Sequence, residues 1–159
     1  MRTDLESAVA KHSSLDINPS GISPFNGKDL VLLIDMSDDL QMLHLGVIDA
    51  VRAHRTDYHH KRYDDQEYRD SNFKDLHCYG NLKLYGMPFA SDLYNPHVTL
   101  AYDLEPDVLS HALGLARDIG LASWRANSVV LSFRDERTKE TGIYSMMIFP
   151  RKAKLLSEK

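Results

Sequence analysis

One stretch of the chain reads as a β-strand and decides the predicted fold: Asn95-Pro96-His97-Val98-Thr99-Leu100-Ala101-Tyr102. Valine, threonine and tyrosine favour strands, and the proline fits only at or just before the strand's beginning. Side chains alternate along a strand, so His97 and Thr99 share one face while Val98 and Leu100 share the other. We expect the apolar face to be anchored in a core. The polar face is either ordinary solvent-facing surface or a functional site. The second interpretation is chemically possible because imidazole transfers protons near neutral pH and a hydroxyl can hold a phosphate oxygen.

The composition is typical of one soluble globular domain, with 159 residues, 43% hydrophobic and 26% charged. The net charge of −4 argues against an extended nucleic-acid surface but leaves a small phosphodiester pocket open. Cys78 is the single cysteine, which rules out an internal disulfide and fits a reducing compartment. No apolar run reaches the roughly 18 residues of a membrane span, and the N-terminus lacks a signal-peptide core. We therefore expect a cytoplasmic protein without membrane contact.

The order of the predicted elements indicates an α+β fold with mainly antiparallel sheets and helices outside. Residues 1–150 are expected to form a single domain, and 151–159 a basic tail. Asn26-Gly27 predicts a tight hairpin turn, and Ser37 is the expected N-cap of the clearest helix. The expected helices are 3–11, 35–54 and 105–120. The expected strands are 15–25, interrupted by a turn cluster at 18–21, and 30–34, 78–85, 97–102, 129–133 and 143–149.

The segment 56–77 is dense in charge and tyrosine and reads as an insertion. One interpretation is a solvated helix or loop with mixed surface charge. The other is a lid, in which Tyr63 stacks on a base and Arg62 meets a phosphate. Tyr102, at the end of the motif strand, is a further substrate-binding candidate. The pair His59-His60 suggests a metal site, but adjacent side chains diverge and no nearby spacing completes a ligand set, so we expect no metal.

The phrase Pro-His-Val-Thr-Leu at 96–100 resembles the HxTx signature of the two-histidine phosphoesterase superfamily, which includes RNA 2′,3′-cyclic phosphodiesterases and 2′-5′ RNA ligases. The apolar run at 30–35, followed by Leu-Gln-Met-Leu-His at 40–44, is similar to the strand and helix that precede the second motif of this family. The resemblance covers roughly residues 5–149. It implies a bilobal fold in which two concave sheets surround a cleft and His97 and Thr99 face inward.

The resemblance also implies a function: metal-independent cleavage of 2′,3′-cyclic phosphates or 2′-5′-linked nucleotides and RNA termini, with no cofactor. In this family one histidine is the general base, the other protonates the leaving oxygen, and the motif hydroxyls hold the phosphoryl group. His97 would be an acid or base and Thr99 a phosphate ligand. Each proton-transfer group typically accelerates such a reaction about 10²–10⁴-fold, so a chain with His97 alone could bind a phosphodiester yet turn it over slowly.

The chain departs from the family in its first motif, which normally precedes the 30–34 strand at a greater distance. The only other HxSx string is His12-Ser13-Ser14, which makes His12 and Ser14 candidates for the second acid or base and its hydroxyl. Other sources are His59, His60 or His77, a second subunit of a homodimer, or a longer natural product that carries the missing motif. The alternatives to an active enzyme are a module that binds nucleotides or cyclic phosphates without efficient turnover, or an unrelated α+β domain.

Overall fold

The computed structural model describes residues 2–55, 59, 61–73, 75–116, 119–134 and 141–149, and at 131–134 and 141–146 it describes the backbone. The described α-helices are α1 (Arg2–Val9), α2 (Asp38–Arg52), α3 (Gln66–Asn72), α4 (Leu76–Tyr85) and α5 (Pro106–Ala116). The described strands are β1 (Leu15–Ile17), β2 (Pro19–Phe25), β3 (Asp29–Ile34), β4 (His97–Ala101), β5 (Trp124–Ala126), β6 (Ser128–Arg134) and β7 (Thr141–Ile148). The fold is therefore α+β, as predicted. None of the described helices has the length and apolar character needed to cross a membrane.

Three antiparallel sheets organise the described residues: β1 with β5, β6 with β7, and the three-stranded sheet β2–β3–β4. The predicted turn joins β2 to β3, with positive φ at Asn26 (52°) and Gly27 (73°). Lys28 N–H donates to the Phe25 carbonyl at 3.3 Å and closes this turn. Both central residues adopt the left-handed conformation that a two-residue hairpin loop requires, so the Asn-Gly prediction is confirmed.

The motif strand β4 forms where it was predicted and pairs with the central strand β3, with Val31 opposite Thr99 and Leu33 opposite His97. The expectation that its other face is anchored in a core is wrong, since Val98 is 43% exposed. The reason is position, because β4 lies at the edge of the sheet and α5 packs against β2 and β3 instead. The apolar face of β4 is thus left at the surface.

The main core forms between α1, α2 and the strands around them. Helix α2 begins at Ser37, whose hydroxyl accepts a hydrogen bond from the Leu40 amide, as the sequence predicted. The buried members of this first core are Leu5, Val9, Leu15, Ile17, Ile34, Leu43, Met147 and Phe149. Since these residues come from both ends of the chain, burial of their apolar surface holds the N-terminal helix and the C-terminal hairpin together.

A second, smaller core occupies the region predicted to be a lid or a solvated loop. Its buried residues are Tyr63, Phe73, Cys78 and Leu82, with Tyr68 packed against them. The strand predicted at 78–85 is wrong, because this stretch belongs to α4, which Asp75 caps through the amide of His77. Cys78 and Leu82 are four residues apart and bury the same helix face.

Helix α5 buries less of its apolar surface than its sequence pattern predicts. Leu109 is buried, whereas Val108 is 49% exposed and Leu115 is 64% exposed. The helix has two apolar sides, and among the described residues only one of them meets the sheet. The predicted basic tail, 151–159, lies outside the described residues.

Candidate functional site

The His97 imidazole stands exposed at the start of β4, and one of its nitrogens has a fixed role. Nδ1 lies 2.8 Å from the carbonyl oxygen of Asn95. A carbonyl can only accept a hydrogen bond, so Nδ1 carries the proton and Nε2 of the neutral ring bears the lone pair. Pro96 lies between these residues, and its carbonyl accepts from the Ile34 amide at 3.1 Å, which ties this approach to β3. Nε2 of His97 is therefore set up to accept a proton from a ligand.

Thr99 shares the face of His97, because β4 pairs with β3 without interruption from His97 to Thr99. Val31 lies opposite Thr99 on that face and is fully buried, and Thr99 itself is half-buried. Phe25 belongs to the same face, and its ring centroid lies 4.7 Å from that of His97, with planes inclined at 31°. The face therefore presents an imidazole, a hydroxyl and an aromatic wall, a combination that suits a phosphate attached to a nucleoside.

The segment that leads into β4 is attached to α2 through His44. The Ser91 amide donates to His44 Nε2 at 3.0 Å, so this nitrogen must be unprotonated. The imidazole also stacks on Tyr94, with centroids 3.9 Å apart and planes within 6°. Burial lowers the pKa of His44 and raises the pKa of Tyr94. The sequence placed His44 as a packed residue rather than a catalytic one, and these contacts agree with that position.

The same segment is held from the other side by α4. The buried Asn81 amide donates to the Ala90 carbonyl at 2.7 Å and, more loosely, to Asp92 at 3.4 Å. His77 Nδ1 meets Asp92 at 2.7 Å, a hydrogen bond that raises the pKa of His77 and lowers the pKa of Asp92. The approach to His97 is thus fixed by side chains from two helices, which favours a rigid site.

The candidate substrate-binding residues do not gather around His97. Tyr102 follows β4 directly and is 74% exposed, which leaves its ring accessible beside the strand. Tyr63 is 4% exposed and belongs to the second core, so its ring is not available to stack on a base. The Arg62 guanidinium lies over the rings of Tyr63 and Tyr68, at 5.0 and 5.6 Å, and donates to the Tyr63 hydroxyl. Arg62 is therefore engaged in this aromatic cluster.

The candidates for a second acid or base lie elsewhere. His12 is buried at the end of α1, edge-on to Phe149 of the first core, and Ser14 is half-exposed nearby in the chain. His59 pairs with Asp64 at 2.7 Å, and His77 is engaged by Asp92. His60 lies outside the described residues. Within the described part of the chain, no second imidazole is in ring contact with His97, and no three His, Cys, Asp or Glu side chains converge as metal ligands would.

The sequence did not point to Phe25 or Asn95 as parts of the site. The Phe25 contact depends on the register of the β2–β3 hairpin, which puts the Phe25 side chain on the same face as His97. In the sequence, the alternation of Ser23 and Phe25 is too short a pattern to predict that position. The role of Asn95 lies in its backbone carbonyl, so its side chain carries no signal. No family model matches the chain, and no curated protein shows significant similarity to it.

Proposed function

We propose that the His97 face of β4 is a phosphodiester site and that the protein cleaves 2′,3′-cyclic phosphates or 2′-5′-linked nucleotides without a metal ion. In this proposal the domain at 1–150 has a bilobal, two-histidine phosphoesterase-like fold with an incomplete first lobe. The observation that carries it is the fixed orientation of His97, whose Nδ1–H donates to the Asn95 carbonyl and leaves Nε2 available.

Each residue has a definite role in the proposed reaction. The neutral His97 imidazole takes a proton on Nε2 from the attacking water or hydroxyl. Alternatively, the protonated imidazole gives a proton to the leaving oxygen. The Thr99 hydroxyl donates a hydrogen bond to a non-bridging phosphate oxygen, where negative charge develops. The Phe25 ring, 4.7 Å from the imidazole, offers an apolar surface to the nucleoside.

A second candidate function is binding of nucleotides or cyclic phosphates without efficient turnover. The specific observation in its favour is that, among the described residues, the candidates for a second acid or base are engaged by other groups: His12 by Phe149, His59 by Asp64 and His77 by Asp92. Since each such group contributes about 10²–10⁴-fold, a site with one histidine binds its ligand but reacts slowly.

The test is hydrolysis of nucleoside 2′,3′-cyclic phosphates and 2′-5′-linked dinucleotides in the presence of a chelator. We expect His97→Ala to lower kcat by about 10²–10⁴-fold, and Thr99→Val to weaken binding by about 1–3 kcal/mol. The matched control is His111→Ala, because His111 is an exposed histidine on α5, away from the motif strand. Saturable binding without turnover would favour the binding module, and neither binding nor turnover would contradict both candidates.

A further inference from the structure

Among the residues that the structure describes, no backbone hydrogen bond reaches the outer edge of β4. In an antiparallel ladder the hydrogen-bonded residues alternate, and the bond from the Ile34 amide to the Pro96 carbonyl sets the phase. Val98 therefore turns its backbone toward β3, while the amide and carbonyl groups of His97 and Thr99 point away from the sheet. Among the described residues no strand pairs with this edge.

The side chains along this edge lack the features that normally prevent strand pairing. From His97 to Ala101 there is no lysine, no other charged residue and no proline. Val98 and Leu100 are 43% and 48% exposed, so the face behind the site is apolar as well. Two copies of such an edge bring no like charges together, and an antiparallel arrangement of the same strand is compatible with a two-fold axis.

The chemistry of the site supplies an independent reason for a partner. Cleavage of a phosphodiester removes a proton from the nucleophile and delivers one to the leaving oxygen, and acceptance and donation occur on opposite sides of the phosphorus. Among the described residues, other imidazoles have partners of their own: His12 packs on Phe149, His44 accepts from Ser91, and His59 and His77 each meet an aspartate. A second copy of the chain carries its own His97 and can supply the other proton-transfer group.

We propose that a second copy of this chain pairs antiparallel with the free edge of β4, so that His97 and Thr99 of both copies form one composite phosphodiester site. This inference rests on the proposed function. The two-fold axis passes beside Val98, which lies opposite Val98 of the second copy. His97 then faces Thr99 of the second copy as a hydrogen-bonded pair, with Cα atoms about 5.5 Å apart.

The geometry of this pairing brings both imidazoles to one phosphate. Residues opposite each other in an antiparallel pair project to the same side, so all four functional side chains stand on one face. The two His97 residues are two positions apart along the strands and one strand apart across them, which puts their Cα atoms about 8 Å from each other. Side chains from this spacing can reach opposite sides of a bound phosphate.

The proton balance closes within the pair. One neutral His97 accepts the proton of a water molecule as its oxygen forms a bond to phosphorus. The bond between phosphorus and the leaving oxygen breaks, and the protonated His97 of the other copy gives that oxygen its proton. The products are a phosphomonoester and an alcohol. The first imidazole is now protonated and the second neutral, so the two copies exchange roles in the next turnover. Because the reaction needs one neutral and one protonated imidazole, a bell-shaped dependence of kcat on pH is expected.

The first experiment measures the mass of the full chain by sedimentation equilibrium across a range of concentrations. We expect a dimer in the wild type and a monomer in Val98→Lys, because a lysine on an edge strand opposes pairing. Val98 is already 43% exposed, so the substitution is compatible with the fold, and Leu100→Lys is a second variant with the same expected result. The control is Val108→Lys on α5, a valine of similar exposure off the sheet edge, which stays dimeric.

Symmetric cross-linking tests the register. In a Cys78→Ser background, Val98→Cys would lie opposite its own copy at a Cα distance of about 4.5 Å, within the range that a disulfide spans. We expect rapid oxidation to a covalent dimer. Leu100→Cys is the control, because in this register Leu100 lies opposite Pro96 of the second copy and no symmetric disulfide forms. Equal cross-linking of both variants would overturn the register.

Activity in mixtures tests whether the site is composite. With a ninefold excess of His97→Ala over wild type, random pairing lowers the activity per wild-type chain about tenfold, because most wild-type chains then have a partner without the imidazole. The composite site would be overturned by a monomeric wild type, including one in which the chain's own residues cover the edge of β4. Full activity in monomeric Val98→Lys, or in the mixture, would overturn it as well. Failure of the proposed function looks different, because then no variant, dimeric or monomeric, binds or cleaves cyclic phosphates.

Discussion

At the scale of single residues, His44 links the stability of the β4 approach to pH. Its Nε2 accepts the Ser91 amide hydrogen, and burial lowers its pKa from the usual 6.5. The unfolded chain therefore binds a proton more readily than the folded chain. The stability that this group contributes is complete above about pH 6.5 and is lost as the pH falls through the lower, folded-state pKa.

We expect His44→Gln to flatten this dependence. Glutamine can still accept the Ser91 N–H but does not titrate, so the free energy of unfolding should change less between about pH 7.5 and 5.5 than in the wild type. Urea unfolding at several pH values is the measurement, with His111→Gln as the control. His77 has the opposite sign, since its raised pKa gives stability below about pH 6.5 that is lost at higher pH, and its full exposure keeps that effect small. An unchanged slope in His44→Gln would contradict the assignment.

The same scale shows how far the sequence could describe the site. That His97 and Thr99 share a face follows from strand periodicity alone, and β4 confirms it. The burial of Val98 was predicted wrongly, because alternation says which side chains share a face but not whether anything covers it. Whether the Val98 face is buried depends on the position of β4 in the sheet and on where α5 packs. Both are features of the tertiary structure.

At the scale of elements, two glycines should respond to alanine in opposite directions. Gly27 has φ +73° in the hairpin turn, where a Cβ is strained, so Gly27→Ala should destabilise the protein by about 1–2 kcal/mol. Gly80 lies within α4 with open space around the position of its missing Cβ. Gly80→Ala should stabilise by roughly 0.5–1 kcal/mol, because alanine loses less conformational freedom in a helix. Chemical denaturation of both variants gives the comparison, and a shift of the same sign in both would contradict these backbone assignments.

Elements with a local signal were predicted well, and elements without one were not. The 26–27 turn needs residues that tolerate positive φ, and the start of α2 needs a capping side chain, so both are visible in the sequence. The stretch 78–85 alternates leucine with polar residues as a strand does, yet it is helical in α4. The deciding contacts are the packing of Cys78 and Leu82 in the second core, and their partners Tyr63 and Phe73 lie outside this stretch.

At the scale of the whole molecule, polar contacts link the two cores. The buried members of the first core and those of the second core are different residues. Among the described residues, the hydrogen bonds that join the two regions include Ser91 N–H to His44, and Arg55 to the carbonyls of Leu82 and Lys83. Apolar burial gives cooperativity, and polar links at a partly exposed boundary give less of it. The second core should therefore open without the first.

Cys78 reports this opening directly, because it is the only cysteine in the chain and is 3% exposed in the second core. Phe73→Ala should cost the second core about 3 kcal/mol and raise the rate of Cys78 modification by a thiol reagent about 10²-fold. Val9→Ala in the first core is the matched comparison: it should lower the free energy of global unfolding, measured by circular dichroism, while leaving the native-state labelling rate unchanged. If both variants accelerated labelling in proportion to the global stability they lose, the molecule would unfold as one unit. In the expected case, the second core would open on its own, and the pairing of β4 with β3 and the bond from Ser91 to His44 would be what keeps His97 in place.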